Sequence, residues 1–415
     1  MRMKLNKKSQ LALVAAGSLL VATMLTACET LTVDFVYVTS AQAAGTNNYG
    51  EVDVFEINSE SGQMRQIPTS PFPSGGRKPV AEAVTSSNTN LFVVNEDDNT
   101  IVQFIIGNDG KLYPQNTTNT PGIFPMAVAI NGTNLFVVDS YQPLPTCSTA
   151  SPCSGAIGVF PITTGTTGNP PSEYLTTPVA NGSLNYWPLN LPGKPNDVLV
   201  PTAINVLKSG NFVFVSTYDS SVTPNVGYVF GFSATSGGVL TPINGGMPFV
   251  AGTHPSGLAS DASSSYLYVT DSGNSDVLGF SVASGSLTPL AGSPYKSGAA
   301  PSSIVVDPTY QFAYVANAQD SSVTEYSMSS GVLTNIGTMA TGQQPVAIGI
   351  DPSTNHFLFT ANFLGSSVNG TISGFELNTT TGALLVSMDS PFKSNALPTA
   401  VAAIPHNGTG GGITK

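Results

Sequence analysis

The sequence predicts an all-β chain folded as a seven-bladed β-propeller with four antiparallel strands in each blade. Two observations carry this prediction. A unit of four short apolar runs repeats along the chain, and the two chain ends hold complementary pieces of one further unit. Composition agrees, because 42 Gly, 31 Pro and 41% apolar residues in a chain of 415 are typical of many short strands joined by tight turns.

The repeat is a unit of four runs, which we name A, B, C and D in chain order. Gly, Asn and Asp-Pro pairs separate the runs, as tight hairpin connections require. Each unit opens on a proline, at Pro79, Pro125, Pro201, Pro255, Pro301, Pro345 and Pro398. Four strands in roughly 40–50 residues is the period of a propeller blade, so the chain from 79 to 397 is predicted to hold six complete blades.

The chain ends are predicted to complete a seventh blade. Pro398–Ile404 is a lone A run near the C-terminus, whereas Val33–Val38, Val52–Ile57 and Met64–Thr69 are lone B, C and D runs near the N-terminus. Pairing them closes the ring and leaves no open sheet edge at the seam. We therefore expect one domain over 33–407, instead of the two that length alone would suggest, and a flexible Gly-rich tail over 408–415.

Several repeat motifs resemble those of a known family. Tyr-Val-Thr at 37–39, Tyr-Val-Thr-Asp at 268–271 and Tyr-Val-Ala-Asn at 314–317 resemble the YVTN repeat. Gly-Ser-Leu-Thr-Pro at 285–289 and Gly-Ser-Pro-Tyr at 292–295 resemble lactonase-type seven-bladed propellers, the family of the propeller 6-phosphogluconolactonases. The resemblance covers residues 33–407 and implies this fold and a lactonase ancestry. It implies no particular reaction, because these are blade motifs and a fold does not define a function.

The N-terminus has the features of an export signal. Four basic residues precede an uncharged apolar stretch, Leu11–Leu25, which is shorter than the ~20 residues of a membrane-spanning helix. Leu25-Thr-Ala-Cys28 resembles the lipobox of bacterial lipoproteins. We expect residues 1–27 to be a signal peptide, Cys28 to carry a membrane-anchoring lipid, and residues 28–32 to form a tether. The alternative is a secreted protein in which Cys28 is incidental.

The predicted compartment is therefore the cell envelope, and Glu29 after the lipidated cysteine favours the outer over the inner membrane. The two remaining cysteines, Cys147 and Cys153, lie in a segment rich in Pro, Ser and Thr. In an exported chain such a pair is expected to form a disulfide. A metal site at this pair is disfavoured because no His or further Cys lies near it in sequence.

Charge excludes several classes of partner. Four of the 13 basic residues lie in the predicted signal peptide, so the mature chain has nine bases against 24 acids, and its only arginines are Arg65 and Arg77. An acidic surface poor in Arg is unsuited to nucleic acids and other phosphate-rich partners. The sequence has no phosphate-binding Gly loop, nucleophile elbow or His-Glu-x-x-His motif, and we expect no cofactor. A structural divalent cation at the axial mouth is the one exception left open.

Long connections fall on one face of the predicted ring, which we name the insertion face. They are the stretches Ser140–Gly155, Pro178–Pro201, Tyr218–Gly227 and Phe363–Gly370. Loops on a rigid scaffold commonly carry function, so we predict a binding face here, whereas neutral loop growth is the alternative. Tyr186 and Trp187, with the neighbouring prolines, are the predicted apolar platform for a ligand, and Tyr218 is a further predicted binding residue.

Asn or Asp ends most B runs on the same face, including Asp219, Asp271, Asn317 and Asn362. Such a ring of oxygens could bind a hard cation or a polyol. The alternative is structural, because Asn and Asp at strand ends often accept hydrogen bonds from turn amides. Both interpretations are open from sequence.

Two hypotheses of function follow. The first is a monomeric binding module, with no or weak catalysis, for a neutral or cationic ligand such as a carbohydrate or an envelope protein. The second is a hydrolase of an unphosphorylated lactone, with His254 as general base oriented by Asp219 or Asp271. A phosphorylated lactone would need cationic clamps that this chain lacks. A purely structural scaffold ranks third.

Overall fold

The computed structural model describes residues 32–41, 49–58, 60–168, 171–309, 311–351, 356–364, 369–394 and 396–406. They form seven antiparallel sheets of four or five strands, so the predicted seven-bladed propeller is confirmed. The predicted signal peptide, Cys28 and the 408–415 tail lie outside the described residues. Among the described residues there is a single short 3-10 helix, Asn244–Gly246, and no helix there is long and apolar enough to cross a membrane.

The first three blades follow the predicted order A to D. Blade 1 comprises Pro79–Val84, Asn90–Asn95, Thr100–Ile106 and Leu112–Asn119. Blade 2 comprises Ile123–Ile130, Asn134–Tyr141, Ala156–Gly168, Pro171–Leu175 and Trp187–Pro188. Blade 3 comprises Leu199–Val206, Phe212–Asp219, Val226–Ala234, Leu240–Pro242 and Phe249–Val250.

The next three blades repeat the same arrangement. Blade 4 comprises Pro255–Ser260, Tyr266–Asp271, Asp276–Ala283, Ser286–Pro289 and Tyr295–Lys296. Blade 5 comprises Pro301–Val306, Phe312–Asn317, Ser322–Ser329 and Val332–Ala340. Blade 6 comprises Pro345–Ile350, Phe357–Asn362, Thr371–Leu377, Leu384–Val386 and Phe392–Lys393. Wherever a blade has five strands, its D strand is split into two pieces that both pair with the C strand.

Blade 7 is built from both chain ends, as predicted. Its inner strand is Leu397–Pro405, which pairs antiparallel with Thr32–Ala41. Tyr49–Asn58 follows as the C strand, and Met64–Gln66 and Phe72–Arg77 are the two pieces of the D strand. The seven A strands contact one another in succession around the axis, and the last contacts the first, so the ring is closed.

Hydroxyl groups link neighbouring A strands near the axis. Ser256 Oγ donates to the carbonyl of Pro301 at 2.5 Å, and Ser302 Oγ donates to the carbonyl of Pro345 at 2.7 Å. The same link crosses the seam, where Thr399 Oγ1 donates to the carbonyl of Pro79 at 2.9 Å. Each hydroxyl satisfies a carbonyl that the A strand, as the innermost strand, cannot pair within its own blade.

The tyrosines of the Tyr-Val motifs link each blade to the next. Tyr37, Tyr268 and Tyr314 are fully buried, and their hydroxyl groups donate to the carbonyls of Gly110, Gly331 and Gly382 in the C–D turn of the following blade. These glycines have φ of 76°, 81° and 77°, a region that side chains with a Cβ rarely adopt. The motif therefore encodes inter-blade packing, which explains why it predicts the fold and not the chemistry.

Glu82, in the A strand of blade 1, connects that blade to both chain ends. The equivalent position in the other six A strands is aliphatic: Val128, Ile204, Leu258, Ile304, Ile348 and Val401. Thr39 Oγ1 donates to Glu82 Oε2 at 2.5 Å, and the backbone amides of Thr39 and Ala402 lie close enough to favour the ionised carboxyl group. The other oxygen, Oε1, is buried without a partner among the described residues. Removal from water raises the pKa of Glu82 to about 8.

We expect Glu82→Gln to remove a pH-dependent loss of stability at this seam. Below the ordinary carboxyl pKa of 4.5, Glu82 is protonated in both the folded and the unfolded chain, so its ionisation does not change the free energy of unfolding. As the pH rises towards about 8 the unfolded chain ionises first, so the free energy of unfolding falls. The melting temperature of Glu82→Gln relative to wild type should therefore increase between about pH 5 and about pH 8.5. Exposed Glu60→Gln is the control, and a pH-independent difference for Glu82→Gln would contradict the prediction.

Candidate functional site

The longest connection of the insertion face is shaped by a disulfide. Cys147 and Cys153 are bonded, with a Cα–Cα distance of 5.5 Å, so the predicted pairing is confirmed. The Cys147 side chain is buried within the loop, and the backbone amide of Gln142 closes the loop onto the carbonyl of Ser154. A ring this short contributes about 2 kcal/mol in the chain-entropy model, which fixes the shape of one loop and not the whole fold.

Asn and Asp at the ends of the B strands are structural. Asn95, Asp139, Asp219, Asp271, Asn317 and Asn362 are all fully buried. Asp271 accepts hydrogen bonds from the backbone amides of Thr253, His254 and Gly273, at 2.8 to 3.0 Å. Of the two interpretations left open by the sequence, the structural one holds. The described residues contain no group of three or more His, Cys, Asp or Glu side chains that could hold a metal ion.

Asn317 and Asn362 are therefore not placed to touch a ligand, contrary to the expectation from sequence. The Asn317 carboxamide donates to the hydroxyl groups of Ser322 and Thr324, at 3.1 and 2.9 Å. The Asn362 carboxamide donates to Thr371 and Ser373 in the same way, at 3.1 and 3.0 Å. Each pair ties the end of a B strand to the beginning of its C strand, which holds the loop above it in place.

The rim of the axial opening is formed by the residues that precede the seven opening prolines, which we name the mouth ring: Lys78, Phe124, Val200, His254, Ala300, Gln344 and Leu397. The backbone carbonyls of four of them accept hydrogen bonds from the residue that follows the B strand of the same blade: Lys78, His254, Ala300 and Gln344. Four members have a left-handed backbone, namely Lys78, Phe124, Ala300 and Gln344, with φ between 51° and 57°. This conformation costs free energy for a residue other than Gly, and such strain concentrates at functional sites.

Aromatic side chains from blades 2 to 4 lie where A strands begin and B strands end on the insertion face, and we name them the aromatic arc: Phe124, Tyr141, Tyr218 and His254. The rings of Tyr218 and His254 stack with centroids 4.0 Å apart, and Phe124 meets Tyr141 edge-on at 5.9 Å. All four side chains are half-buried. Burial, and to a lesser extent the nearby Tyr141, raises the pKa of Tyr218, so its hydroxyl group remains a neutral donor.

His254 is oriented by Ser272 and Tyr218, and its predicted acid partners act elsewhere. Asp271 binds the backbone amide of His254, and Asp219 accepts from the backbone amide of Ser221 at 2.8 Å. Ser272 Oγ lies 3.0 Å from the carbonyl oxygen of His254 and 3.1 Å from its Nδ1. Both contacts are hydrogen bonds when Nδ1–H donates to Oγ and the hydroxyl group donates to the carbonyl, and a neutral imidazole in this tautomer has a lone pair on Nε2.

The cations beside the mouth are already paired. Lys78 Nζ lies 2.6 Å from Glu96 Oε1, and the Arg77 guanidinium lies 2.6 Å from Asp98 Oδ1. These are exposed pairs on blade 1, which is the neighbour of blade 2 and therefore lies beside the aromatic arc. An anionic ligand would have to compete with a carboxylate for either cation, which fits the acidic composition of the chain, whose formal net charge is −11.

Trp187 and Tyr186 do not form the predicted platform, because their side chains are only 3% and 5% exposed. Trp187 pairs with Ile157, and its Nε1 donates to the carbonyl of Leu240 in blade 3 at 2.9 Å. The segment interpreted as a D–A loop contains the second piece of the D strand. That piece begins with an aromatic residue in every split blade: Phe72, Trp187, Phe249, Tyr295 and Phe392. This recurrence is the signal that sequence analysis missed.

Phe124 and Tyr141 are two residues of the aromatic arc that the sequence did not predict. Phe124 directly precedes an opening proline, a position that repeats from blade to blade, whereas Tyr141 lies two residues beyond Asp139, past the Asn or Asp at which most B strands end. Comparison of the residues before the prolines alone would have identified Phe124 together with His254. Of the site residues predicted from the sequence, Tyr218 and His254 are the pair whose side chains the structure brings into contact.

Fold and site together define a seven-bladed propeller with an aromatic-lined axial mouth on its insertion face. Residues 190–384 match a family model described as lactonase, seven-bladed β-propeller, and the resemblance predicted from the blade motifs is thereby confirmed. No curated protein sequence matches the chain.

Solved structures share this architecture at low sequence identity. A Bacteroides fragilis protein described as a candidate 6-phosphogluconolactonase is 17% identical, with a TM-score of 0.67, over 91% of this chain and 99% of that one. The periplasmic gluconolactonase of Pseudomonas aeruginosa is 15% identical, with a TM-score of 0.64, over 90% and 99% of the two chains. The chain thus shares the seven-bladed propeller fold of these proteins, and the similarity at this identity extends to the fold alone.

Proposed function

We propose that this chain is a binding propeller of the cell envelope whose axial mouth takes the face of a neutral, polyhydroxylated ring such as a sugar. The observation that carries the proposal is the aromatic arc, a set of half-buried rings on a rigid rim. Flat aromatic faces suit the apolar faces of sugar rings, while the tyrosine hydroxyl groups and His254 Nε2 supply directional hydrogen bonds. The paired state of Lys78 disfavours phosphorylated ligands.

We expect Tyr218→Ala to weaken binding of a neutral sugar ring by about tenfold or more, because the stacked surface and a hydroxyl donor are lost together. D-glucose and D-glucono-1,5-lactone, each beside its 6-phosphate, are suitable probes in titration calorimetry. Tyr113→Ala removes an exposed tyrosine from the outer strand of blade 1 and is the matched control. Equal affinities for Tyr218→Ala and wild type, or tighter binding of the phosphates, would contradict the proposal.

Anchoring through a lipid on Cys28 belongs to the same proposal. It rests on the basic leader and the Leu25-Thr-Ala-Cys28 segment of the sequence. The Pseudomonas aeruginosa protein of the same fold is named as periplasmic, so an exported propeller of this type has a precedent. Cys28→Ser should move the chain from the membrane to the soluble fraction of the producing cells. A Cys28→Ser chain that stays in the membrane fraction and takes up labelled fatty acid would refute the anchor.

One observation favours a second candidate function, hydrolysis of an unphosphorylated lactone. The tautomer set by Ser272 leaves His254 Nε2 able to take a proton from water as that water attacks the lactone carbonyl. The ring C–O bond then breaks, and the proton passes to the leaving alkoxide to give a hydroxy acid. Turnover of D-glucono-1,5-lactone above its spontaneous rate, lost in His254→Ala and reduced in Ser272→Ala, would select this function over binding alone.

A further inference from the structure

A second concavity opens on the insertion face between blades 5 and 6. It has a volume of about 480 Å³ and is lined by Ala300, Gln319, Ser321, Gln343, Gln344 and Leu364, together with Ala318. Ala300 and Gln344 belong to the mouth ring, so the concavity is continuous with the axial mouth, and because blade 5 contacts blade 4 it lies beside the end of the aromatic arc that carries His254. Its volume falls within the roughly 300–1,000 Å³ of small-ligand pockets.

The lining has an unusual chemistry for so acidic a chain, because it contains three carboxamides and a hydroxyl group and no charged side chain. Within the described residues, no hydrogen bond is made by the side-chain amides of Gln319, Gln343 or Gln344. Each carboxamide offers two donors and one acceptor oxygen. A neutral ligand dense in hydroxyl groups, with a donor and an acceptor on each oxygen, matches such a surface better than an ion does.

The backbone beneath these side chains is fixed before any ligand arrives. The carbonyl of Gln344 accepts from the amide of Phe363 at 2.9 Å, and the carbonyl of Gln343 accepts from the amide of Leu364 at 3.2 Å. Gln344 has a left-handed backbone, with φ of 54°, which glycine would adopt without strain. A side chain held at a position that favours glycine is an outlier of the kind found at ligand-binding sites.

We propose that this glutamine-lined concavity is a second carbohydrate subsite, so that the mouth binds an oligosaccharide with one ring on the aromatic arc and another among the carboxamides. The proposal rests on the proposed function, because it extends the ligand of the same mouth. In this proposal the aromatic arc and the glutamine-lined concavity contact different parts of the ligand. The aromatic arc covers the face of one ring, and the carboxamides bind the hydroxyl groups of the next.

The test compares D-glucose with maltotetraose and cellotetraose by titration calorimetry on the full chain. We expect wild type to bind at least one tetrasaccharide about tenfold more tightly than glucose. The double variant Gln319→Ala/Gln343→Ala should lose that preference and keep its affinity for glucose. Both side chains are exposed, so their loss should spare the fold, and a melting curve checks this directly. Gln115→Ala, on the outer strand of blade 1, is the control.

The outcomes separate the subsite from the function on which it rests. Equal affinity of wild type for glucose and both tetrasaccharides overturns the subsite and leaves the sugar-binding mouth intact. A tetrasaccharide preference that survives in the double variant overturns the subsite as well. Tyr218→Ala should weaken every probe, and failure of wild type to bind any of the three sugars overturns both the subsite and the proposed function.

Discussion

Deletion of residues 398–415 is expected to abolish cooperative folding of the propeller. The deletion removes the strand Leu397–Pro405 almost entirely, and this strand is the A strand of the seventh blade. It pairs along its length with Thr32–Ala41 and contacts the A strands of blades 6 and 1. Without it the ring has a gap, and the inner edge of Thr32–Ala41 presents unpaired backbone groups to other chains.

The loss should be large because several buried interactions end on this strand. Ile404 is packed among the side chains that join blade 7 to blade 1, and Thr399 Oγ1 lies within hydrogen-bond distance of the carbonyls of both Thr39 and Pro79. Glu82 would lose the backbone amide of Ala402 and keep a buried carboxyl group with fewer partners. We therefore expect aggregation, or a melting transition that is broad and shifted downward, in circular dichroism and light scattering.

A shorter truncation, lacking only 407–415, separates the effect of the strand from that of the residues beyond it. A synthetic peptide of residues 397–406, added to the longer truncation, should restore some of the melting transition, whereas a scrambled peptide should not. A chain without residues 398–415 that melts like the full chain would show that closure does not depend on this strand.

The sequence was sufficient for the ring because its signals repeat. Seven opening prolines and the tyrosine of the Tyr-Val motif each mark a contact made again in the next blade, such as the hydrogen bond from Tyr314 to the carbonyl of Gly382. The lone A run at the C-terminus could form a complete blade only with the lone B, C and D runs near the N-terminus. Even so, the split of the D strand was not foreseen, since its second piece is only two residues long in blades 2, 3, 4 and 6.

The site was less predictable, because its geometry depends on hydrogen bonds between loops. A residue before proline is expected to be extended, yet Gln344 is left-handed so that its carbonyl can reach the amide of Phe363. Asp271 near His254 suggested a base and its acid partner, but the carboxylate binds the backbone amide of His254 instead of the imidazole. Residue type and spacing cannot distinguish these two uses of a carboxylate.

Trp187→Ala is expected to lower the free energy of unfolding by about 3–5 kcal/mol, the usual cost of removing a buried aromatic side chain. Trp187 lies between blades 2 and 3 and packs against buried residues that include Val159, Phe230 and Leu240. Its indole also satisfies the carbonyl of Leu240, which would be left unpaired. Trp187 was predicted from the sequence to be part of a ligand platform, and its burial assigns it a structural role instead.

The measurement is denaturant unfolding followed by far-UV circular dichroism, because Trp187 is the only tryptophan and the variant has no tryptophan fluorescence. Trp187→Phe keeps most of the buried volume but lacks the indole N–H, so it should lose only some of the stability that Trp187→Ala loses. Tyr218→Ala is the complementary variant, since a half-buried ring at the mouth should affect the binding of a sugar more than stability. If Trp187→Ala unfolds at the same denaturant concentration as wild type, the aromatic residue that begins the second piece of the D strand does not stabilise the blade, which would contradict the packing.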